Sequence, residues 1–264
     1  AAIGLGVRSV VIGLGGSATT DGGSGLLAAL GARFFDDAGR DLEPGGGRLA
    51  SLARVDLSEV SEVLAEVSLT VASDVTNPLL GERGAAATYG PQKGASPEQV
   101  QELERNLARY ADLLEAAAGR PVRDEAGAGA AGGTTAGLLA IADRFASFEI
   151  RPGVEVLMEL TGFDDALAAA DLVLTGEGRI DEQTGFGKTA MGVARRAHGA
   201  GVKCICFGGG ATPEGIAALA PLGAIVVPVV EQPMTVEAAM AAGTAPVRRA
   251  AERAARLTGL TARP

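Results

Sequence analysis

The chain is expected to fold as an α/β protein built on parallel sheet. Three observations lead there. Short apolar runs of strand type alternate with helix-type segments, polar glycine-rich loops follow several of those runs, and the spacing leaves room for helical crossovers. Of the 264 residues, 47% are hydrophobic and 21% charged, enough apolar material for a core and too much for an unfolded chain. The length suits one large domain or two small ones.

The elements are expected as follows. Residues 1–6 read as the tail of a helix with a glycine cap, which predicts that the protein begins upstream. A strand over 8–14 runs into a glycine loop at 15–25, a helix at 26–32 and a short strand at 32–35. Residues 68–72 form a second strand ending at Ser73-Asp74. A long helix covers 97–118, with Ser96 as N-cap, Pro97 in the first position, and Val100, Leu103, Leu107, Tyr110, Leu113 and Leu114 at helical spacing. A Gly/Ala stretch at 126–137 leads into another helix. After residue 171 the order is strand 171–175, polar loop 176–188, helix 189–199, strand 202–207, helix 213–220, strand 224–229 and one last helix over 235–257.

Composition excludes several functions. Net charge is −9 and aromatics are 3% with no Trp, which argues against a nucleic-acid binder, since phosphate neutralisation and base stacking are both undersupplied. No apolar run approaches the roughly 20 residues of a membrane span, and no signal peptide is visible, so a cytoplasmic protein is expected. Cys204 and Cys206 are expected as plain buried thiols pointing to opposite faces of a strand. His198 is the single histidine, which excludes a His-rich metal site and leaves little room for a Ser-His-Asp triad; it is read as a helix C-terminal residue.

Chemistry concentrates in five glycine-bearing segments. They are Gly15-Gly-Ser-Ala-Thr-Thr-Asp-Gly-Gly23, Ser73-Asp-Val-Thr-Asn-Pro-Leu-Leu-Gly81, Tyr89-Gly-Pro-Gln-Lys-Gly-Ala95, Gly127-Ala-Gly-Ala-Ala-Gly-Gly133 and Thr175-Gly-Glu-Gly-Arg-Ile-Asp-Glu-Gln-Thr184. Three follow predicted strands, where open α/β sheets bind ligands, and glycine lets backbone N–H groups approach an anion. Gly15, Gly16, Gly176 and Gly178 are the candidate phosphate-cradling positions. Of three lysines against twenty arginines, Lys93 and Lys188 lie in such loops and suit phosphate as compact charges. Asp21, Asp74, Glu177 and Asp181 supply hard oxygens for a Mg²⁺–nucleotide, or a base for an attacking hydroxyl. The competing role for each Asp is turn formation or capping, and Asn77 before Pro78 fits a turn.

Two standard motifs nearly fit. Gly187-Lys188-Thr189 resembles the end of a P-loop, but Glu182 stands where its first glycine belongs. Gly13-Leu-Gly15-Gly-Ser-Ala18, with Asp36 downstream, fits a weak dinucleotide pattern and keeps an NAD-dependent oxidoreductase as an alternative. Ser17 and Thr19 are nucleophile candidates with no nearby imidazole expected.

In order and content these segments, with Gly192-Val-Ala194 and the 228–234 stretch, resemble the bacterial type 1 glycerate kinases nearly end to end. Departures are Thr20 for the usual Asn, Ser73 for a frequent Cys, and Glu125-Ala126 where Pro commonly precedes the glycine run. The family's N-terminal portion, with its Asp-Ser-Phe-Lys-Gly segment, has no counterpart in this chain. The resemblance implies two α/β lobes: a mixed α/β domain over 1–170, and over 171–264 part of a Rossmann-like parallel sheet with an open edge and uncovered apolar faces. It implies ATP-dependent phosphorylation of D-glycerate, with ATP and Mg²⁺ as cofactors and a homodimer among the compatible assemblies. Ser17, Thr19, Asp21, Asp74 and Asn77 would contact or border substrate; Gly15, Gly16, Lys93, Gly176, Glu177 and Gly178 the nucleotide. Asp181 and Lys188 would be catalytic, with Asp181 and Glu177 at the metal. An inactive fragment or binding module is the remaining alternative.

Overall fold

The computed structural model describes residues 2–182, 184 and 189–259. The fold is mixed α/β with parallel sheets, as expected, in two compact units, 1–153 and 154–264.

In unit 1, β1 (Ser9–Gly13), β4 (Ser68–Ala72) and β5 (Ser147–Arg151) form a parallel sheet with β4 in the centre. The register runs Val10↔Leu69↔Phe148 and Ile12↔Val71↔Ile150. Leu69 and Val71, two residues apart, share the face buried in the main core. Between β1 and β4 lie α1 (Ser24–Ala29) and the antiparallel pair β2 (Arg33–Phe35) and β3 (Arg54–Asp56). Between β4 and β5 come α2 (Ala85–Tyr89), α3 (Pro97–Ala118) and α4 (Ala130–Ala140).

The helix α3 follows its sequence signals closely. The Ser96 side chain accepts from the Gln99 N–H, the Gln99 side chain accepts from the Ser96 N–H, and Gly119 ends the helix in a left-handed turn. Its apolar stripe buries Leu107, Tyr110 and Leu114 completely. The opening of α4 is irregular. Ala131, Gly132 and Gly133 have φ of 53°, 70° and 90°, all left-handed. A Cβ at Gly132 would run into the Thr19 carbonyl, so this turn admits the 15–23 loop only because it carries no side chain there. Gly22 N–H donates to Gly132 O at 3.0 Å, and the Tyr110 hydroxyl donates to Gly22 O at 3.0 Å.

In unit 2, β6 (Leu172–Ile180), β7 (Lys203–Ala211) and β8 (Ile225–Pro228) form a second parallel sheet in that order. It is accompanied by α5 (Gly153–Leu160), α6 (Phe163–Ala168), α7 (Thr189–Gly199), α8 (Pro213–Leu219), α9 (Val236–Ala241) and α10 (Ala245–Leu257). Val154, Met158 and Leu167 of the first two helices join Val173, Ile180, Ala194 and Leu219 in the core of this unit.

Four local expectations are corrected. The polar loop expected from 176 is strand as far as Ile180, because Glu177 and Arg179 pair with Gly208 and Gly210 of β7; glycine's poor strand propensity hid two strand ends that support each other. The single last helix is two, broken at 242–244, where Gly243 has φ 59° and Pro246 opens α10. The first helix starts at Ser24 rather than 26. Cys204 and Cys206 face the same way, since strand residues two apart share a face, and their sulfurs lie 3.8 Å apart, both buried. Contact with Cys204, burial and the Glu177 charge push the Cys206 thiol above its ordinary range. No helix among the described residues is long and apolar enough to cross a membrane.

Two substitutions test the packing of loop 15–23 on α3 and α4. Tyr110→Phe should lower unfolding free energy by about 0.5–1.5 kcal/mol, the usual worth of one hydrogen bond. Gly132→Ala should cost more, since a left-handed alanine alone costs about 1–2 kcal/mol before the clash. Urea unfolding of the two variants checks the ordering.

Candidate active site

At the carboxyl ends of β1 and β4, unit 1 holds a cavity of about 310 Å³. Its lining includes Gly15, Gly16 and Ser17 after β1, Asp74 after β4, and Lys93 from the turn at Pro91–Lys93. Ala130 and Ala131, from the irregular start of α4, close it. Four of the five glycine segments therefore reach one hollow. The fifth belongs to unit 2.

The neighbouring partners decide what each side chain is available for. Asp21 is buried, and its carboxylate accepts from Gly23 N–H at 3.1 Å, Gly25 N–H at 3.2 Å and the Ser24 hydroxyl at 3.4 Å. It caps α1 and is absent from the lining of the 310 Å³ cavity. Asn77 donates to Arg83 O at 2.7 Å and accepts from the Tyr89 hydroxyl at 2.9 Å, so its amide braces the loop after β4. Asp74 is exposed, lines the cavity and accepts from Gly153 N–H at 2.9 Å. Ser17 is half-buried on the same wall. Thr19 faces a second, more open hollow of about 560 Å³ on the other side of Lys93, bordered by Gly46 and Gln99.

Lys93 lines both hollows, and its ammonium donates to the Thr19 carbonyl. Burial lowers its pKa from the ordinary 10.5, opposed by the Asp21 charge. Tyr89 and Gln92 also line the smaller cavity. The sequence reading passed over both as site residues, although they sit in the quoted Tyr89-Gly-Pro-Gln-Lys segment; a hydroxyl and an amide beside the lysine were the available signal. Burial raises the Tyr89 phenol.

In unit 2 the Thr184 hydroxyl donates to Glu177 Oε1 at 2.7 Å and accepts from the Asp181 N–H at 3.1 Å. Thr184 is fully buried; it holds the Glu177 carboxylate and the Asp181 backbone at the end of β6. Arg179 pairs with Asp181 at 3.6 Å. Gly176 and Gly178 lie inside β6 rather than in a loop. Lys188, with Gln183 and Gly187, lies outside the described residues. Among the described residues no three His, Cys, Asp or Glu side chains group as a metal site. Asp36 is consumed by its own turn, accepting from Ala38 and Arg40 N–H at 2.9 Å, and no helix begins at Ala18. The dinucleotide pattern thus lacks both its helix and its ribose carboxylate.

A small cavity above parallel strands, walled by glycine backbone, a hydroxyl, a lysine and one carboxylate, is the kind of site an α/β enzyme acting on small molecules carries. The chain belongs to the glycerate kinase family, whose profile matches residues 1–259. It is 47% identical over 204 residues to a glycerate kinase of Halalkalibacterium halodurans, covering 77% of this chain and 53% of that one. It is 43% identical over 192 residues to a glycerate 2-kinase of Escherichia coli, covering 73% and 49%. A crystal structure from Salmonella typhimurium LT2, assigned as a glycerate kinase 2, superposes with TM-score 0.73 at 42% identity, covering 98% of this chain and 66% of that one. The chain spans about half the length of the curated relatives it matches.

The lowered pKa of Lys93 gives a signed prediction. Its charge is disfavoured in the folded state, so stability should rise with pH between the folded pKa and 10.5, the unfolded value. NMR of ¹³C-methylated lysines should find one midpoint below 10.5 that disappears in Lys93→Met. An ordinary midpoint for that signal would contradict the burial.

Proposed function

We propose that this chain carries out ATP-dependent phosphorylation of D-glycerate to a phosphoglycerate, with the acceptor in the 310 Å³ cavity of unit 1. The observation that carries this reading is the convergence of Ser17, Asp74, Lys93 and the Gly15–Gly16 backbone on a hollow sized for a small hydroxy acid. Lys93 and loop amides suit the glycerate carboxylate. Ser17 suits a hydroxyl. Asp74 accepts the proton as the glycerate oxygen attacks the γ-phosphorus and the bond to ADP breaks. Asp21 and Asn77 act by holding the two loops, and Thr19 through its carbonyl on Lys93.

Mg²⁺ travelling with ATP needs only one or two protein carboxylates beside the phosphates. Thr184 holds the Glu177 carboxylate and the Asp181 backbone at one strand end, which suits that demand, and we assign the ion to those two residues. Bound there, it would neutralise phosphate charge. The cytoplasm is the setting this chemistry suits, because ATP is its donor.

Coupled ADP release with D-glycerate tests the activity on this chain; no glycerate-dependent release would defeat the reading. If Asp74 is the base, Asp74→Asn should lower kcat by about 10²-fold or more with little change in KM, whereas Asp181→Asn should raise the Mg²⁺ concentration required. The reverse pattern would exchange the two roles.

A further inference from the structure

Unit 2 contains a hollow of its own, about 640 Å³, above the carboxyl ends of β6, β7 and β8. Gly178, Gly209 and Gly210 form its floor, and Met234, Val236 and Met240 its apolar wall. Val236 and Met240 are 71% and 77% exposed, so that wall is uncovered apolar surface. The charges on one rim are already matched, since Arg249 and Arg253 both donate to Glu231. At the floor stands Arg179, 70% exposed and 3.6 Å from Asp181.

The lining is therefore mixed: apolar side chains on Met234, Val236 and Met240, and among the glycines an exposed arginine held by one long ion pair to Asp181. Its volume falls in the range of small-molecule sites, about 300–1,000 Å³, and its place beyond parallel strand ends is where such sheets hold ligands. A protein partner would ask instead for a broad face of roughly 800 Å². The ligand chemistry that matches this lining is a flat apolar ring joined to an anionic tail. We propose that this hollow receives the nucleoside end of the phosphoryl donor, the base against Met234 and Met240 and the phosphates toward Arg179. This inference rests on the kinase reading above and adds the residues that select the donor.

Calorimetric titration of the whole chain with ATP and with adenosine tests it. Adenosine should bind and compete with ATP. Met240→Arg, at an exposed position and verified by thermal melting, should weaken both by at least tenfold. Arg179→Ala should weaken ATP alone. ATP binding that adenosine does not displace, or that Met240→Arg leaves unchanged, would place the base elsewhere and overturn the assignment without touching the kinase reading. Absence of adenosine binding at millimolar concentration would overturn it too, as would a dimer abolished by Met240→Arg and indifferent to adenosine, which would make the face a self-interface. Adenosine binding with no glycerate-dependent ADP release would keep this site and defeat the kinase reading.

Discussion

The constraint on which unit 1 depends is the backbone-to-backbone seam between the 15–23 loop and the start of α4. Gly22 and Gly132 meet through an N–H···O bond of 3.0 Å. A side chain on Gly22 would meet the Tyr110 ring, and one on Gly132 the Thr19 carbonyl. Three elements are fixed by this contact: the loop after β1, the kinked helix start, and the buried face of α3 that carries Tyr110. The cavity inherits its shape from the seam, because Gly15, Gly16 and Ser17 lie on one side of it and Ala130 and Ala131 on the other. Ala131 holds φ 53°, the one left-handed non-glycine residue among those described. A conformation that costs of order 1 kcal/mol persists only where its surroundings dictate it, and here it lies in the cavity wall.

The fold was legible wherever a period or a cap was written plainly. Strands β1 and β4, the whole of α3 and the parallel rhythm after 171 follow from alternation, from Ser96-Pro97 and from helical spacing. What was hidden has common causes. The ends of β6 and β7 are rich in glycine, so each looked like loop until the partner strand was present. Strand β3 and helices α2, α5 and α6 are short, and their identity rests on tertiary contacts rather than on propensity; β5 is as long as β1 and β4 but carries Glu149 and Arg151 among its five residues. The break between α9 and α10 was marked by Gly243 and Pro246, but the surrounding alanines masked it.

The site was legible as loops and much less as roles. Glycine segments, Lys93 and four carboxylates were visible in the sequence. Which carboxylate faces a cavity was not, because Asp21 and Asp74 differ only in surroundings. Asp21 finds two amides and a hydroxyl at the head of α1, whereas Asp74 keeps one amide bond and stands open to the hollow. Asn77 is a similar case: its partners, Arg83 and Tyr89, become neighbours only once the loop after β4 folds back on α2.

The tether from Lys93 to the Thr19 carbonyl has a consequence for how the two hollows of unit 1 share a charge. An ammonium offers three donors, and one is spent on that carbonyl. An anion in the smaller hollow would take the remaining donors of the same nitrogen that anchors the rim of the larger one. A single cation thus borders both chambers, and it is the one residue their linings have in common.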